Sequence, residues 1–306
     1  MECIGATVGQ LQLDKFADAI SSVYENHDRR RSIWDVWCHA LHHAAAIAEE
    51  VRKGALRPAQ LSKIRQEVAD LTLWLVTAVS KLQREHAVSE TAELPRDAVV
   101  RISVPMARLM WNRYPGICPW CQSALPDVCK CDAMEIPRRR KVKETEHQRA
   151  VETRRLATEN LSAMPGSIDG WQQMLGDIYR VTIEKATIEN IVLHLLEEMG
   201  EVSDALIRMY SYGGSIPVGE PRARQMRLED GLADTASVLF GLVERLHMDK
   251  KDISLKLSGL VWSKYGSDEL KGFHCRHCTQ KVCQCQITLI ESTELIRNTL
   301  KDLTRT

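Results

Sequence analysis

Apolar residues recur at spacings of three and four through long stretches of the chain, the period of a helix with one buried face. This pattern predicts helices near 10–27, 33–53, 58–87, 97–112 and 138–162, and a second set near 168–180, 184–212, 222–247, 250–264 and 287–303. No segment alternates at period two, so the sequence reads as all-α. The two sets repeat one order. The first runs AAAIAEEVRKG, RQEVADLTLWLVTAVSKL and MARLMWNRYPGICPWC; the second runs VLHLLEEMGEV, EDGLADTASVLFGLVERL and LSGLVWSKYGSDELKGFHCRHC. Glu49–Glu50 aligns with Glu197–Glu198, Asp70 with Asp234, and Trp111 and Tyr114 with Trp262 and Tyr265. A period this long predicts tandem domains rather than a solenoid. The expected organisation is a bundle over 1–133, a charged linker helix over 134–166 and a second bundle over 167–306. The linker, PRRRKVKETEHQRAVETRRLATEN, ends at the helix-breaking Met164–Pro165–Gly166–Ser167. Its opening run, Arg138 to Lys141, is basic, but glutamates follow, so a mixed-charge exposed helix is expected.

Charge narrows the partners. Lys plus Arg and Asp plus Glu are equal at 41 each, so the global balance favours neither nucleic acid nor membrane. No apolar run approaches the length of a membrane span. The N-terminus, MECIGATVGQLQLDKF, lacks a basic segment followed by an apolar core, so a cytoplasmic location is the default expectation.

Ten cysteines change the picture more, because eight of them fall into two clusters, leaving Cys3 and Cys38. The first is Cys118, Cys121, Cys129 and Cys131; the second is Cys275, Cys278, Cys283 and Cys285. Each combines a CxxC pair with a CxC pair. Four thiolates suit one tetrahedral zinc and leave no open position for catalysis. Two structural zinc ions are therefore expected, each fixing the end of the helix before its loop. Contact of the loops with nucleic acid or a protein, through Trp120, Arg276, His277 or Lys281, is the alternative.

The stretch LLEEMGEVSDAL carries the candidate chemistry. Glu198 and Glu201 lie three apart on one helix face, with Glu197 beside them. Asp234 lies in a second apolar helix, LADTASVLFGLVERL. If the two helices pack side by side, the carboxylates converge into an oxygen site for magnesium or manganese. Lys256, Lys264 and Arg113 are candidate phosphate ligands. Trp111, Trp262, Tyr114 and Tyr265 are expected to pack beside the cysteine loops, with base stacking as the alternative.

The order EExGExxDA, a spacer and ADxxxxLxxLxxxL resembles the MazG-like all-α nucleoside triphosphate pyrophosphohydrolases, over about 168–265 and, more weakly, 33–114. The resemblance implies paired helical bundles and magnesium-dependent cleavage of nucleoside triphosphates to monophosphate and pyrophosphate. It implies a metal pattern of ExxE followed by ExxD, and an internal pair made by the two copies, with a further homodimer left open. In the second copy Glu198, Glu201 and Asp234 fit, Gly231 stands where the fourth acid is expected, and Asp230 is the nearest stand-in. In the first copy Glu50, Glu67 and Asp70 fit, but Lys53 occupies the remaining position, so that site reads as degenerate. His39 and His43 share the face of Glu50 and are expected to be structural. The alternative function is a catalytically inactive nucleotide sensor or a zinc-stabilised interaction protein.

Overall fold

The computed structural model describes residues 8–54, 56–89, 102, 104–131, 142–211, 221–250 and 256–285. These residues are mostly helical, as the periodicity requires. The first half contains α1 (Leu13–Asp28), α2 (Ile33–Arg52), α3 (Pro58–Ser89) and α4 (Met106–Arg113). Then follow α5 (Val142–Glu159), α6 (Ile168–Ile178), α7 (Arg180–Lys185), α8 (Ile188–Ser211), α9 (Pro221–Lys250) and α10 (Leu257–Tyr265). A two-residue antiparallel pair, Gly266–Ser267 with Gly272–Phe273, follows α10. The helix expected near 287–303 lies outside the described residues.

Local chemistry sets the helix ends. Ser32 and Asp35 form a capping box at α2, which satisfies amide donors that have no partner inside the helix. Ser167 accepts from the Gly170 amide and starts α6 directly after the Pro165–Gly166 break. The helix expected over 184–212 begins at Ile188 instead. Thr187 accepts from the Asn190 amide there, and α7 ends before it at Lys185. Of the helix expected near 97–112, α4 starts at Met106 after Pro105, and 97–101 lie outside the described residues.

α2 packs along α3, and α8 along α9, so the side-by-side arrangement that the carboxylates need is present. α2 and α8 then pack against each other across the halves. Ala40, Ala44 and Ile47 are buried from one side and Leu195, Met199 and Val202 from the other. Each large aliphatic side chain buried in this way contributes about 1.5–3 kcal/mol. Trp37 Nε1 donates to Ser203 Oγ at 2.8 Å in the same contact. Buried residues of both halves belong to one continuous cluster.

The short final helix of each half crosses over. α4 packs on α9 of the second half, and α10 packs on α3 of the first. Their starts stay with their own half. Asp14 Oδ1 accepts from the Ala107 amide at 2.8 Å, and Asp169 Oδ1 accepts from Ser258 Oγ. The linker helix α5 is more than an exposed rod. Thr153 and Ala157 are buried, and Trp111 Nε1 donates to the Ala157 carbonyl at 2.8 Å.

Candidate metal centres and the acidic cluster

Both cysteine loops close into tetrads. In each, the four sulfurs lie within 4.8 Å of one another. Cys118–Cys131 is 3.6 Å, Cys121–Cys129 3.7 Å and Cys275–Cys285 3.8 Å. These spacings far exceed a disulfide bond and approach the ~3.8 Å edge of a tetrahedron with metal–sulfur bonds of about 2.3 Å. The two turns match bond for bond. The Gln122 amide donates to the Cys118 carbonyl and the Thr279 amide to the Cys275 carbonyl, both at 2.8 Å. Gln122 and Thr279, each following its CxxC, adopt positive φ of 58° and 56°. The Lys130 amide donates to Cys121 Sγ and the Gln284 amide to Cys278 Sγ, both at 3.4 Å. Burial pushes the Cys121 thiol up, but the Ser123 hydroxyl and the Lys130 amide outweigh it and bring it down to about 6. Backbone amides of Gln284 and Gln280 bring Cys278 to about 6 as well. N–H donors of this kind stabilise thiolate, the form that binds metal.

Each loop docks on the opposite half. The Cys129 amide donates to the Ile178 carbonyl at 2.8 Å, and Tyr179 Oη lies 3.8 Å from Cys118 Sγ. Reciprocally, the Cys283 amide donates to the Val23 carbonyl at 2.7 Å, and Tyr24 packs against the second loop.

The exchange of α4 and α10 decides the carboxylates. Arg113 forks onto Asp234, with Nε and Nη2 each 2.8 Å from a carboxylate oxygen, and Tyr114 donates its hydroxyl to the same group. Arg113 Nη1 also lies 3.7 Å from Asp230. In the mirror arrangement, Lys264 and Tyr265 both donate to Asp70. Lys264 thus sits on the first half's acids rather than beside Asp234, because α10 crosses to α3. Burial, opposed by Asp70, lowers the Lys264 ammonium. Lys256 is exposed near Asp169, on the rim of a separate cleft of about 300 Å³ that Arg180 and Glu244 also line.

On α8, Glu197 and Glu201 are exposed and Glu198 is half-buried. His194 Nε2 lies 2.9 Å from Glu198 Oε1, and that contact raises the imidazole. The Glu201 carboxyl is raised by burial first, then by the charges of Glu198, Asp234 and Glu197. Asp230 binds Arg154 of α5 at 2.7 Å. Arg154 also lies 3.7 Å from Glu229. Gly231, where a fourth acid is expected, has no room for a side chain: a Cβ there would lie 2.9 Å from Val202 Cγ2.

The first half is neutralised. Glu50, 4% exposed, binds Lys53 at 2.9 Å and Lys63 at 2.6 Å, and these ammoniums, Lys63 foremost, hold its carboxyl below the ordinary range. His43 Nδ1 lies 2.7 Å from Glu67 and 3.7 Å from Asp70, and the three converge closely enough to share a metal ion. His39 stacks on Trp74 at 4.3 Å and is structural. Glu198, Glu201 and Asp234 do not converge as closely as His43, Glu67 and Asp70 do.

Of the aromatics expected beside the cysteine loops, Trp111 is buried against Trp171, Trp262 packs on Gly266 and Phe273, and Tyr114 and Tyr265 give their hydroxyls to Asp234 and Asp70. Sequence reasoning missed His194 and Arg154. His194 was findable one turn before Glu198; Arg154 carried no signal until α5 docked. It also missed that the Arg113–Tyr114 and Lys264–Tyr265 pairs recognise the opposite half. Compared with protein-family models, curated proteins and solved structures, the chain matches none.

Proposed function

We propose that the second half is a metal-dependent nucleotide pyrophosphohydrolase of the MazG-like kind, with Glu198, Glu201 and Asp234 as its metal ligands. The observation that carries the reading is a charge imbalance between the halves. Around Asp234 stand five carboxylates (Glu197, Glu198, Glu201, Asp230 and Asp234) against two guanidiniums, Arg113 and Arg154. Around Asp70, the three carboxylates Glu50, Glu67 and Asp70 face the three cations Lys53, Lys63 and Lys264. Uncompensated carboxylates on two adjacent helices repel one another, and a divalent cation relieves that repulsion.

The donor set fits. A carboxylate offers about four acceptor positions. Glu198 spends one on His194, and Asp234 keeps capacity on Oδ2 after accepting one Arg113 hydrogen bond there. Bound magnesium or manganese would orient the triphosphate and offset charge on the leaving oxygens. Glu201, whose carboxyl is raised, would hold the ion through one oxygen and take the proton of a water attacking the α-phosphorus on the other. Arg113, the cation on Asp234, would be the counter-ion for phosphate. The reaction adds water across the α–β phosphoanhydride and releases monophosphate and pyrophosphate.

The soft, closed Cys₄ shells suit structural zinc at both loops. Their reciprocal docking would hold Arg113 and Lys264 on opposite acids.

A second reading is favoured by Asp234 itself: Arg113 and Tyr114 already satisfy it, so the site binds nucleotide without turning it over. One experiment separates the two. The zinc-loaded protein is incubated with magnesium or manganese and a panel of standard and modified nucleoside triphosphates, and the products are resolved. Monophosphate and pyrophosphate are expected, with Glu201→Gln losing at least a hundredfold in rate. Nucleotide binding without product supports the second reading, and an unchanged Glu201→Gln rate removes this site.

A further inference from the structure

We infer that the first cysteine loop gives the second half's acids a stacking platform, Trp120, that holds the planar base of a nucleotide whose phosphates meet Arg113. The inference rests on the acids of α8 and α9 being the working site. Trp120 lies between two tetrad ligands, in the turn Cys118–Pro119–Trp120–Cys121, so metal loading would fix its backbone. It is 44% exposed, whereas Trp37, Trp111 and Trp171 are buried in the core. The Arg113 guanidinium lies over the Trp120 ring, 5.5 Å from its centroid. The same guanidinium forks onto Asp234. An open aromatic surface, a cation and an excess of carboxylates therefore follow one another over the span of two side chains.

Each element recognises a different part of one ligand class. A tryptophan face takes any nucleobase, because every base has a π surface. Arg113 has N–H donors on Nη1 and Nη2 beyond the two that fork onto Asp234, and these would meet phosphate oxygens. The carboxylates take the divalent cation that accompanies a triphosphate. The other half does not repeat the combination. His277 stands at the position of Trp120, and Lys264, at the position of Arg113, is held on the neutralised acids around Asp70. Among the described residues one composite site results, built from the first half's loop and the second half's helices.

The test is calorimetric titration of the zinc-loaded full chain, in magnesium, with α,β-imido deoxynucleoside triphosphates of the four common bases. Inorganic tripolyphosphate serves as the base-free probe. Trp120→Ala should weaken the tightest nucleotide about tenfold or more, the loss of roughly one stacked base. Trp120→Phe should stay within about threefold of the parent, and tripolyphosphate should bind both variants as it binds the parent. Zinc content and helical circular dichroism establish that each variant is folded. Equal losses for nucleotide and tripolyphosphate, no loss at all, or no binding of any of the four nucleotides by the parent would overturn the platform. The two ideas fail separately. Trp120-dependent binding without pyrophosphate release keeps the platform and removes the hydrolase. Pyrophosphate release with an unchanged KM in Trp120→Ala keeps the hydrolase and removes the platform.

Discussion

Glu201 sits where its own charge is disfavoured. Partial desolvation of an otherwise exposed side chain, and three neighbouring carboxylates, raise its carboxyl above the ordinary value. A carboxyl raised by folding contributes stability that is complete below its unfolded value and lost as pH climbs through the raised one. At neutral pH the ionised group therefore costs stability, and Glu201→Gln should raise the melting temperature while it removes activity. Because the side chain is exposed, the gain should stay under about 1 kcal/mol. A thermal melt at pH 7 and at pH 4 checks the sign: the gain should shrink at the lower pH. Gly231 makes the opposite case. Restoring the expected acid with Gly231→Glu should not rebuild a ligand, since its Cβ would meet Val202. The variant should lose about 1–3 kcal/mol in urea unfolding, as overpacked cores do. The residue types were legible in the string LLEEMGEVSDAL. The reason for glycine at 231, a close approach of α9 to α8, was not, because it depends on the distance between two helices.

Among the elements, α4 and α10 decide most. Each is short, starts on its own half and ends on the other. The Arg113–Asp234 pair has side chains only 14% and 13% exposed, so either charge left alone is poorly solvated. Arg113→Met should cost about 3 kcal/mol of stability, because it strands Asp234. Asp234→Asn combined with Arg113→Met should cost clearly less than the sum of the single changes. A double-mutant cycle in urea reads that coupling, and strict additivity would mean the fork contributes nothing in solution. The sequence placed WNRY and WSKY at equivalent points of the repeat. It could not say which half each would face, because sequence order carries no information about a helix that exchanges neighbours.

At the level of the whole molecule, the two cysteine loops act as reciprocal clasps. Two zinc ions per chain are expected from elemental analysis. Cys278→Ser should lose one of them and leave the first tetrad loaded. Since the second loop hydrogen-bonds Val23, amide exchange should then accelerate most over the C-terminal part of α1, in the other half of the chain. Cys121→Ser should do the same near Ile178. Acceleration confined to the loop's own half would contradict the crossed docking. Among the described residues no helix is long and apolar enough to cross a membrane.

The helical class, the repeated order of elements and the two cysteine tetrads follow from local rules. A period of 3.6 marks a buried helix face, and CxxC with CxC brings four sulfurs within reach of one ion wherever the loop lies. The more distant partners of the acids were decided elsewhere. Lys63 of α3 reaches Glu50, α5 brings Arg154 to Asp230, and the crossed helices deliver Arg113 to Asp234 and Lys264 to Asp70. These are contacts between residues as many as 194 positions apart. They exist only once the buried faces of α2, α3, α8 and α9 have set where every other helix can lie, and periodicity along one helix cannot encode that placement.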